Sequence, residues 1–229
     1  MTIAVVIPAA GSGQRMQADR PKQYLELFGK TILEHTVQRL RQVPELGPVW
    51  LALAADDAYF AATSLAVQPG IHRVTGGRER ADSVLAGLMA IDERQYPWVL
   101  VHDAARPLVQ VSDIQKLIKR CLGSGCGGIL ATPVRDTMKR GMGTQEHTQV
   151  LQTVERQDLW HALTPQLFPT AQLRQSLQQA LQQGVAITDE ASALEWAGLP
   201  VLLVSGRADN IKITQSEDLQ LARFYLEQQ

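Results

Sequence analysis

Short runs of aliphatic and β-branched residues alternate along this chain with longer segments of helical periodicity, and this alternation restricts the fold more than any other feature. Such a pattern is typical of repeated βαβ units, in which helices flank a mostly parallel sheet. At 229 residues the chain suits one large domain, residues 1–229. The predicted class is therefore α/β. The predicted strands are residues 3–7, 49–54, 71–75, 98–102, 128–131, 201–204 and 211–214.

Three of the helical segments carry recognisable ends. The segment "TILEHTVQRLRQ" opens with Thr31, which we predict to be its N-cap, and its apolar residues follow at helical spacing. In "RADSVLAGLMAI" we expect Asp82 or Ser83 to cap the helix. The segment "QLRQSLQQALQQG" repeats leucine once per turn and is predicted to stop at Gly184.

One segment departs from the alternation. The stretch "VRDTMKRGMGTQEHTQV" is polar, contains a Gly-Met-Gly turn and is flanked by short extended pieces. Long excursions in compact α/β domains are usually functional or contact a partner chain. We predict that residues 134–156 form a β-rich arm used in dimerisation.

Composition excludes several classes of protein. Hydrophobic residues make up 45% of the chain and charged residues 20%, as in ordinary globular proteins. A formal net charge of -1 disfavours nucleic-acid and membrane-surface binding, which need a basic face. No apolar run reaches the roughly 20 residues of a membrane span and no signal pattern opens the chain, so we expect a cytoplasmic protein. The thiols of Cys121 and Cys126 are expected to be reduced and to serve packing.

The stretch "PAAGSGQRMQADRPKQY" directly follows the apolar run "IAVVI" and allows several interpretations. A P-loop is excluded because neither Gly11 nor Gly13 begins the G-x-x-x-x-G-K-[ST] spacing. A dinucleotide fingerprint is disfavoured because Met16 occupies its third glycine position. In a nucleotidyltransferase loop, backbone N–H groups of residues 11–13 would hold phosphates while Arg15 and Lys22 add positive charge. A tight turn with solvated basic residues remains the alternative.

Electrostatics explains why such a loop would need cations. Transfer of a nucleotidyl group to a phosphate monoester brings a dianion against a triphosphate, and each like-charged pair at ~4 Å costs roughly 1 kcal/mol even in bulk water. The cost is larger in a partly dry cleft, so several cations and usually Mg²⁺ are required. Asp103 follows the strand "WVLVH" at its carboxyl end, where open α/β sheets bind ligands, and a carboxylate there suits Mg²⁺. Arg106 is close enough to orient that carboxylate or to hold a phosphate, and His102 is expected to be a packed, hydrogen-bonded strand end.

Eight ordered motifs carry a resemblance that covers nearly the whole chain. They are "PAAGSGQRM", "PKQY", "GGRERADSVLAGL", "VHDAARP", "PVRDTMK", "LWHALTPQ", "ITDEASALE" and "GRADNIKIT". In order and spacing the chain resembles the 2-C-methyl-D-erythritol 4-phosphate cytidylyltransferase family of the non-mevalonate isoprenoid pathway. The resemblance implies a Rossmann-like nucleotidyltransferase core, with a mostly parallel twisted sheet flanked by helices and a protruding β-arm exchanged in a homodimer. It also implies CTP and methylerythritol phosphate as substrates, and Mg²⁺ or another divalent cation.

The resemblance also assigns roles to individual residues. Arg15 and Lys22 would stabilise charge at the α-phosphorus, and Lys212, with Arg156 of the partner subunit, would aim the nucleophile. Asp103 would be the metal ligand. The remaining substrate contacts would be made by Ala9, Ala10, Gly11, Gly13, Gly77, Ser83, Arg106, Thr137 and Thr188.

Some alternatives stay open at this stage. Asp82 can cap a helix or contact ligand, Asp209 can lie near the metal or form a turn, and Thr188 can bind substrate hydroxyls or cap a helix. Arg78 stands where the family often carries an acidic residue. A cytidylyltransferase for another polyol phosphate, such as ribitol 5-phosphate, and a catalytically silent nucleotide-binding scaffold are the rival functions.

Overall fold

The computed structural model describes residues 1–11, 16, 19–144 and 147–228. Within them lie eleven strands and six α-helices. The strands are β1 (Ile3–Pro8), β2 (Glu26–Leu27), β3 (Lys30–Thr31), β4 (Leu46–Leu53), β5 (Ile71–Thr75), β6 (Trp98–Val101), β7 (Gly128–Pro133), β8 (Met138–Thr144), β9 (His147–Val154), β10 (Trp160–Pro169) and β11 (Leu202–Ser205). The helices are α1 (Ile32–Leu40), α2 (Arg80–Met89), α3 (Val111–Ser124), α4 (Thr170–Gln182), α5 (Glu190–Trp196) and α6 (Ser216–Glu227).

Seven strands form the central sheet, in the order β11-β7-β10-β6-β1-β4-β5. All neighbouring pairs are parallel except those of β10, which runs antiparallel to both β6 and β7. The predicted α/β class with a mostly parallel sheet is confirmed. The pairs β2-β3 and β8-β9 form two further small antiparallel sheets.

The observed strands differ from the predicted ones in two places. Strand β10 is missing from the predicted set, because prolines interrupt its apolar pattern, although it occupies the middle of the sheet. The predicted strand 211–214 is wrong. Its backbone is not paired in the sheet; the N–H of Ile213 instead donates to the carbonyl of Ala105 at 2.9 Å. A loop partner in place of a strand partner therefore decides its conformation.

Local chemistry accounts for most of the helix ends. Thr31 caps α1 as predicted: its hydroxyl accepts from the Glu34 N–H at 3.1 Å, while the Glu34 carboxylate accepts from the Thr31 N–H at 2.7 Å. The predicted cap of α2 at Asp82 or Ser83 is wrong, because the helix begins three residues earlier. Asp82 lies in its first turn and accepts from the Glu79 N–H at 2.9 Å. Helix α4 ends just before Gly184, whose φ of 70° turns the chain away as predicted.

The core has two layers, one on each face of the sheet. Ile3, Val5 and Ile7 of β1 join the cluster packed by α1 and α3, whereas Ala4 and Val6 join the cluster packed by α2, α4 and α5. All five side chains are fully buried, which explains the uninterrupted apolar run of this strand. The carboxyl ends of β1 and β6, adjacent in the sheet, are consequently held rigidly from both sides.

Strands β8 and β9 form a hairpin inside the segment predicted as an arm. Their pairing runs from Met138 opposite Val154 to Thr144 opposite His147. Nearly every side chain of this hairpin is exposed, including the apolar ones of Met142 and Val150. The β structure predicted for this segment is confirmed. Its role in dimerisation remains a prediction.

Two further expectations concern the whole chain. No described helix combines the length and apolar character that a membrane span requires. Cys121 and Cys126 are both free thiols. Cys121 is fully buried in the core, and burial raises the pKa of its thiol to about 12.

Candidate active site

A cleft of about 470 Å³ opens at the carboxyl ends of β1 and β6. This edge of a parallel sheet is where α/β proteins usually bind ligands. The lining comes from five chain segments: the turn after β1, the short turn that carries Lys22, the start of α2, the turn after β6 and the segment before α6. The lining residues are Pro8, Ala9, Ala10, Gly11, Lys22, Gln23, Gly77, Arg78, Glu79, Arg80, Ser83, Asp103, Ala104, Ala105, Lys212 and Thr214.

Asp103 lies at the floor of the cleft among three cationic side chains. Its Oδ1 is 2.9 Å from Nε of Arg80. Its Oδ2 is 3.2 Å from Nε of Arg106 and 3.0 Å from Nζ of Lys212. The N–H of Asp103 donates to the hydroxyl of Thr164 at 3.0 Å. The carboxylate is therefore fixed by both its side chain and its backbone.

This arrangement sets the charge of Asp103. Burial by itself would raise the pKa of the carboxyl, but Arg80, Lys212 and Arg106 together bring the pKa far below its ordinary value. For Arg80, burial would lower the pKa, and the carboxylates of Glu190 and Asp103 outweigh that effect and raise it. Both groups are fully charged at neutral pH, so the cleft floor is an ionised network.

The main contributors that sequence reasoning missed are Arg80 and Glu190. The guanidinium of Arg80 forks onto Glu190, with Nη1 2.6 Å from Oε1 and Nη2 3.1 Å from Oε2. Both residues stand in quoted motifs, "GGRERADSV" and "ITDEASALE". The signal that could have indicated them is that each is a charged residue within a motif and has no other evident role.

Arg106 is buried and does not line the cleft. Its Nε contacts Asp103, and its Nη1 donates to the carbonyl of Asn210 at 2.7 Å. Asn210 in turn donates from Nδ2 to the carbonyl of Thr164 at 2.8 Å. Of the two roles left open for Arg106, the contacts therefore match orientation of the carboxylate.

A further cationic side chain of the cleft, Lys22, lies on a short 3-10 turn, Lys22–Tyr24. Lys22 lines the cleft and its Nζ donates to the carbonyl of Ile213 at 2.9 Å. The neighbouring Gln23 is buried and donates to the carbonyls of Ala9 and Gly11 at 2.7 and 3.1 Å. Gln23 thus ties the turn that carries Lys22 to the chain that leaves β1.

Another part of the cleft lining consists mainly of backbone and small side chains. It is formed by Ala9, Ala10, Gly11, Gly77 and Ser83. The N–H of Gly77 donates to Oγ of Ser83 at 3.1 Å. A Cβ added to Gly77 would come within 2.2 Å of Asp82 Cβ, so only glycine fits at this position. The glycine is therefore required by the close packing of this segment against α2, and its backbone lines the cleft.

Several predicted residues lie elsewhere. Thr137, Arg156 and Thr188 are exposed and do not line the cleft. Thr188 does not cap α5, because Asp189 holds that position and accepts from the Ser192 N–H at 3.0 Å. Gly13 and Arg15 lie outside the described residues.

Two carboxylates with open roles also find partners away from ligand space. Asp209 does not line the cleft; it accepts from Nε of Arg207, 3.0 Å away. Asp82 lies in the first turn of α2 and accepts from the N–H of Glu79, the N-cap residue. The Asp209 contact matches the turn-forming alternative, and Asp82 takes part in the cap of α2 without being its N-cap residue. Arg78 lines the cleft with a side chain that is 93% exposed.

Comparison with known proteins identifies the family. A model of the 2-C-methyl-D-erythritol 4-phosphate cytidylyltransferase family matches residues 3–228. The chain belongs to this family.

Relatives that carry the family name match over nearly full length. The chain is 58% identical over 229 residues to the 2-C-methyl-D-erythritol 4-phosphate cytidylyltransferase of Vibrio atlanticus, a match that covers 99% of this chain and 96% of the relative. The corresponding protein of Photobacterium profundum is 57% identical over 227 residues, with 99% and 97% covered. Matches of this length extend over all five segments that line the cleft.

Solved structures of the family share the fold. The Francisella tularensis protein superposes with a TM-score of 0.83 at 35% identity, covering 98% of this chain and 100% of that one. The Thermus thermophilus protein gives a TM-score of 0.81 at 32% identity, covering 99% and 100%. The fold around the cleft is thus that of cytidylyltransferases.

The divalent cation expected for this family can be tested against the donors in the cleft. Among the described residues no group of three or more His, Cys, Asp or Glu side chains could hold a metal. Within the same part of the chain, Oδ1 of Asp103 contacts Arg80 alone, so one of its two lone pairs remains available. Mg²⁺ commonly uses one or two carboxylates together with waters and substrate phosphates. The donors therefore fit a Mg²⁺ ion held mostly by nucleotide, not one held in a protein cage.

His102 lies directly behind Asp103 and is fully buried, as predicted for a packed strand end. The hydroxyl of Thr164 accepts from the Asp103 N–H, so it donates to Nδ1 of His102, 2.9 Å away. Nε2 then carries the proton and donates to the Arg106 carbonyl at 3.1 Å. Burial is the largest effect on this ring and lowers its pKa from 6.5 to about 4, against the hydrogen bond to the Arg106 carbonyl and the charge of Asp103, which raise it; the charges of Arg106 and Arg80 add to the lowering.

The buried neutral ring predicts an acid-sensitive fold. In the unfolded chain His102 titrates near 6.5, so between pH 6.5 and about 4 the unfolded state binds more protons and the free energy of unfolding falls as pH falls. The contribution is complete above pH 6.5, and its loss by pH 4 amounts to about 3 kcal/mol. Urea unfolding of the metal-free protein from pH 7 to 4 measures it. The slope should flatten in His102→Asn and persist in the exposed control His147→Asn; equal slopes in all three proteins would contradict the assignment.

Proposed function

We propose that this protein transfers the cytidylyl group of CTP to 2-C-methyl-D-erythritol 4-phosphate. The products are 4-diphosphocytidyl-2-C-methyl-D-erythritol and pyrophosphate, in isoprenoid precursor biosynthesis. The observation that carries the proposal is the cleft itself. It joins a part lined by backbone and small side chains to a cationic part with Lys22 and Lys212, in a chain that belongs to the cytidylyltransferase family.

The chemistry follows from the charges. An oxygen of the substrate phosphate attacks the α-phosphorus of CTP in line; a new P–O bond forms, the α–β bridging bond breaks, and pyrophosphate carries away the electron pair. A phosphate dianion is nucleophilic at neutral pH, so no protein nucleophile is needed and catalysis is positioning plus electrostatic stabilisation. Lys22 stabilises the charge that accumulates on the α-phosphate and on the leaving group. Arg15 is proposed for the same role from its place in the loop.

The two parts of the cleft divide the binding of CTP. The nucleobase occupies the part of the cleft where Ala9, Ala10, Gly77 and Ser83 present backbone and a hydroxyl. The triphosphate lies along Gly11 and the loop that follows it, Gly13 included. Backbone N–H groups in a glycine-rich turn are suited to phosphate oxygens.

The acceptor phosphate lies in the cationic part of the cleft. Lys212, held by Asp103 at 3.0 Å, presents its ammonium to the incoming dianion. Arg106 keeps the Asp103 carboxylate in place from behind. Thr188, which is exposed just before the N-cap of α5, remains a proposed contact for the substrate hydroxyls.

We also propose Mg²⁺ as the cofactor, with Asp103 as its protein ligand through Oδ1. When bound, the ion would neutralise part of the negative charge on the triphosphate. The role of the chain is to supply a fixed carboxylate whose ionisation does not depend on pH near neutrality. Arg80 restricts the position of that oxygen.

The hairpin is proposed to complete the site of a second copy of the chain in a homodimer. Thr137 and Arg156 flank the hairpin and do not line the cleft of their own subunit. Large apolar side chains, among them Met142 and Val150, lie exposed on it at 56% and 64%. Exposed apolar groups of this size are typical of a surface that contacts a partner. Thr137 and Arg156 of the partner subunit would then hold the methylerythritol phosphate.

Subunit complementation tests this exchange directly. Lys22→Ala and Arg156→Ala each inactivate a different half of the shared site, so a mixed dimer contains one intact site and one doubly defective site. Co-refolding equal amounts of the two inactive variants should restore about a quarter of the wild-type turnover, because random pairing makes half of the dimers mixed. If Arg156 acts within its own subunit, the mixture stays inactive. Arg140→Ala, on the exposed hairpin, is the matched control for Arg156→Ala.

A coupled assay of pyrophosphate release tests the reaction itself. The protein is incubated with CTP, Mg²⁺ and either methylerythritol phosphate or ribitol 5-phosphate. Release with the first acceptor alone supports the proposal, whereas release with the second alone favours the related polyol-phosphate enzyme. Absence of release with either, while CTP binds in calorimetry, would instead support the silent nucleotide-binding scaffold.

A further inference from the structure

Glu190 is a buried carboxylate that no step of the proposed reaction uses. It is 1% exposed and does not line the cleft. Its two oxygens receive both terminal nitrogens of Arg80, whose Nε is bonded to Asp103. Within the described part of the chain, Glu190 therefore reaches the cleft floor only through one guanidinium group.

The carboxylate of Glu190 is itself held in place. Glu190 is the first residue of α5, and hydrogen bonds of Gln166 link the start of that helix to strand β10. Gln166 accepts from the Ala191 N–H at 2.9 Å and donates to the Asp189 carboxylate at 2.8 Å. Because Gln166 is also buried, the position of Glu190 is set by the central sheet.

The fork limits what Arg80 can do. A guanidinium has five N–H donors in one plane, and Glu190 and Asp103 engage three of them. Two carboxylates on different edges of the plane fix its orientation as well as its position. Without Glu190, the side chain of Arg80 would be able to turn about its long stem and follow whichever anion is nearest in the cleft.

The local charge also depends on Glu190. Arg80, Arg106 and Lys212 surround Asp103, so that three positive charges face one carboxylate. Glu190 compensates the charge of Arg80 from the side away from the cleft. Lys212 shares the Asp103 carboxylate with both arginines, and its side chain is 36% exposed, so its positive charge remains accessible from the cleft.

We propose that Glu190 is a positioning residue for the transfer reaction: it clamps Arg80, and Arg80 in turn holds the Asp103 carboxylate in the place where it positions Lys212. This inference rests on the proposed function. The proposed clamp differs from a purely structural salt bridge in one respect. A structural pair affects only the amount of folded protein, whereas a clamp affects the turnover of protein that is fully folded.

A double-mutant cycle separates the two roles. The variants are Glu190→Gln, which removes the charge; Arg80→Lys, which keeps the charge but loses the fork; and the combination. We expect Glu190→Gln to lower kcat per folded molecule about 10- to 100-fold, as is usual when a group behind a ligand is removed, with a much smaller change in KM for CTP. The double variant should be about as slow as Arg80→Lys alone, because both substitutions break the same link.

Two further variants keep the test decisive. Thr170→Val removes a buried hydrogen bond, 2.7 Å to the carbonyl of Tyr96, far from the cleft, and should destabilise the fold without changing kcat per folded molecule. Glu190→Asp keeps the charge on a shorter stem and should recover part of the kcat lost in Glu190→Gln. If Glu190→Gln does not fold, Glu190→Asp carries the test with the same expectation of reduced kcat at nearly unchanged KM.

The opposite results would overturn the inference. They are a wild-type kcat in folded Glu190→Gln or Glu190→Asp, or losses that multiply in the double variant. Failure of the proposed function is distinguishable, because the wild-type protein would then release no pyrophosphate at all. A wild-type protein that is active beside a fully active Glu190→Gln refutes the clamp alone.

Discussion

Replacing Lys22 by alanine is expected to lower kcat about 100- to 1,000-fold while the protein remains folded, as observed when one preorganised donor to a developing negative charge is removed. The reason lies in the position of the ammonium group. Nζ lies at the cleft wall, 2.9 Å from the carbonyl of Ile213, on a turn that Gln23 ties to Ala9 and Gly11. Its place does not depend on bound substrate, so no reorganisation is needed when charge develops on the phosphate.

The cost to stability should be small by comparison. The substitution removes the hydrogen bond from the partly buried ammonium to the Ile213 carbonyl, and a hydrogen bond of a charged group contributes about 1.5–3 kcal/mol. Pyrophosphate release, measured at saturating CTP and methylerythritol phosphate, gives kcat, and thermal unfolding gives stability. Near-normal turnover of Lys22→Ala would contradict the assigned role, and a large loss of Tm with unchanged activity would favour a structural one.

Arg20 supplies a matched control on the same loop. Its guanidinium pairs with the adjacent Asp19, and its side chain is 41% exposed. Arg20→Ala removes one positive charge two residues from Lys22 without touching the cleft. We expect nearly wild-type turnover, and an equal loss in both variants would indicate a general field effect of the loop instead of a specific contact.

The substitution Asp103→Asn is expected to have the second large effect, on stability and on turnover together. It leaves Arg80, Arg106 and Lys212 around a neutral amide at distances that now lie between 2.9 and 3.2 Å. Removing one member of a buried ionic network typically costs about 3–5 kcal/mol. Arg80 keeps Glu190, and Lys212 can turn towards solvent, so we expect a loss of about 3 kcal/mol.

Urea unfolding at pH 7 measures this loss. Glu93→Gln is the control, because Glu93 pairs with Arg174 at 3.2 Å but is 44% exposed. Exposed pairs contribute only about 0–1 kcal/mol. If Asp103→Asn were no more destabilising than Glu93→Gln, the three contacts at the cleft floor would not form the network that holds the carboxylate.

The same variant also tests the metal proposal. Folded Asp103→Asn should need a higher Mg²⁺ concentration for half-maximal turnover, because an amide oxygen carries no net charge. The control is Lys212→Ala, which disturbs the same carboxylate through its other oxygen but removes no metal ligand. An unchanged Mg²⁺ requirement in Asp103→Asn would mean that the nucleotide alone holds the ion.

The residues that line the cleft show how much of the site could be predicted from the sequence. Eight of the predicted residues line it: Ala9, Ala10, Gly11, Lys22, Gly77, Ser83, Asp103 and Lys212. The pattern of residues after a strand indicated Gly11, Lys22 and Asp103, whereas the other five were predicted from the family resemblance. Arg80 and Glu190 were missed because they are 110 positions apart and neither has a meaning without the other.

The sequence by itself determined the alternating architecture and several helix ends. A strand such as β1 is apolar throughout because helices cover both of its faces, and Thr31 with Glu34 forms a cap from groups only three residues apart. These features follow from short-range chemistry and from periodicity. Only the tertiary structure decided that β10 enters the sheet antiparallel between β6 and β7, and that the segment 211–214 stays outside it. The order of strands brings Arg80, Asp103, Glu190 and Lys212 to one place, and ion pairs between distant elements depend on that order and not on any local pattern.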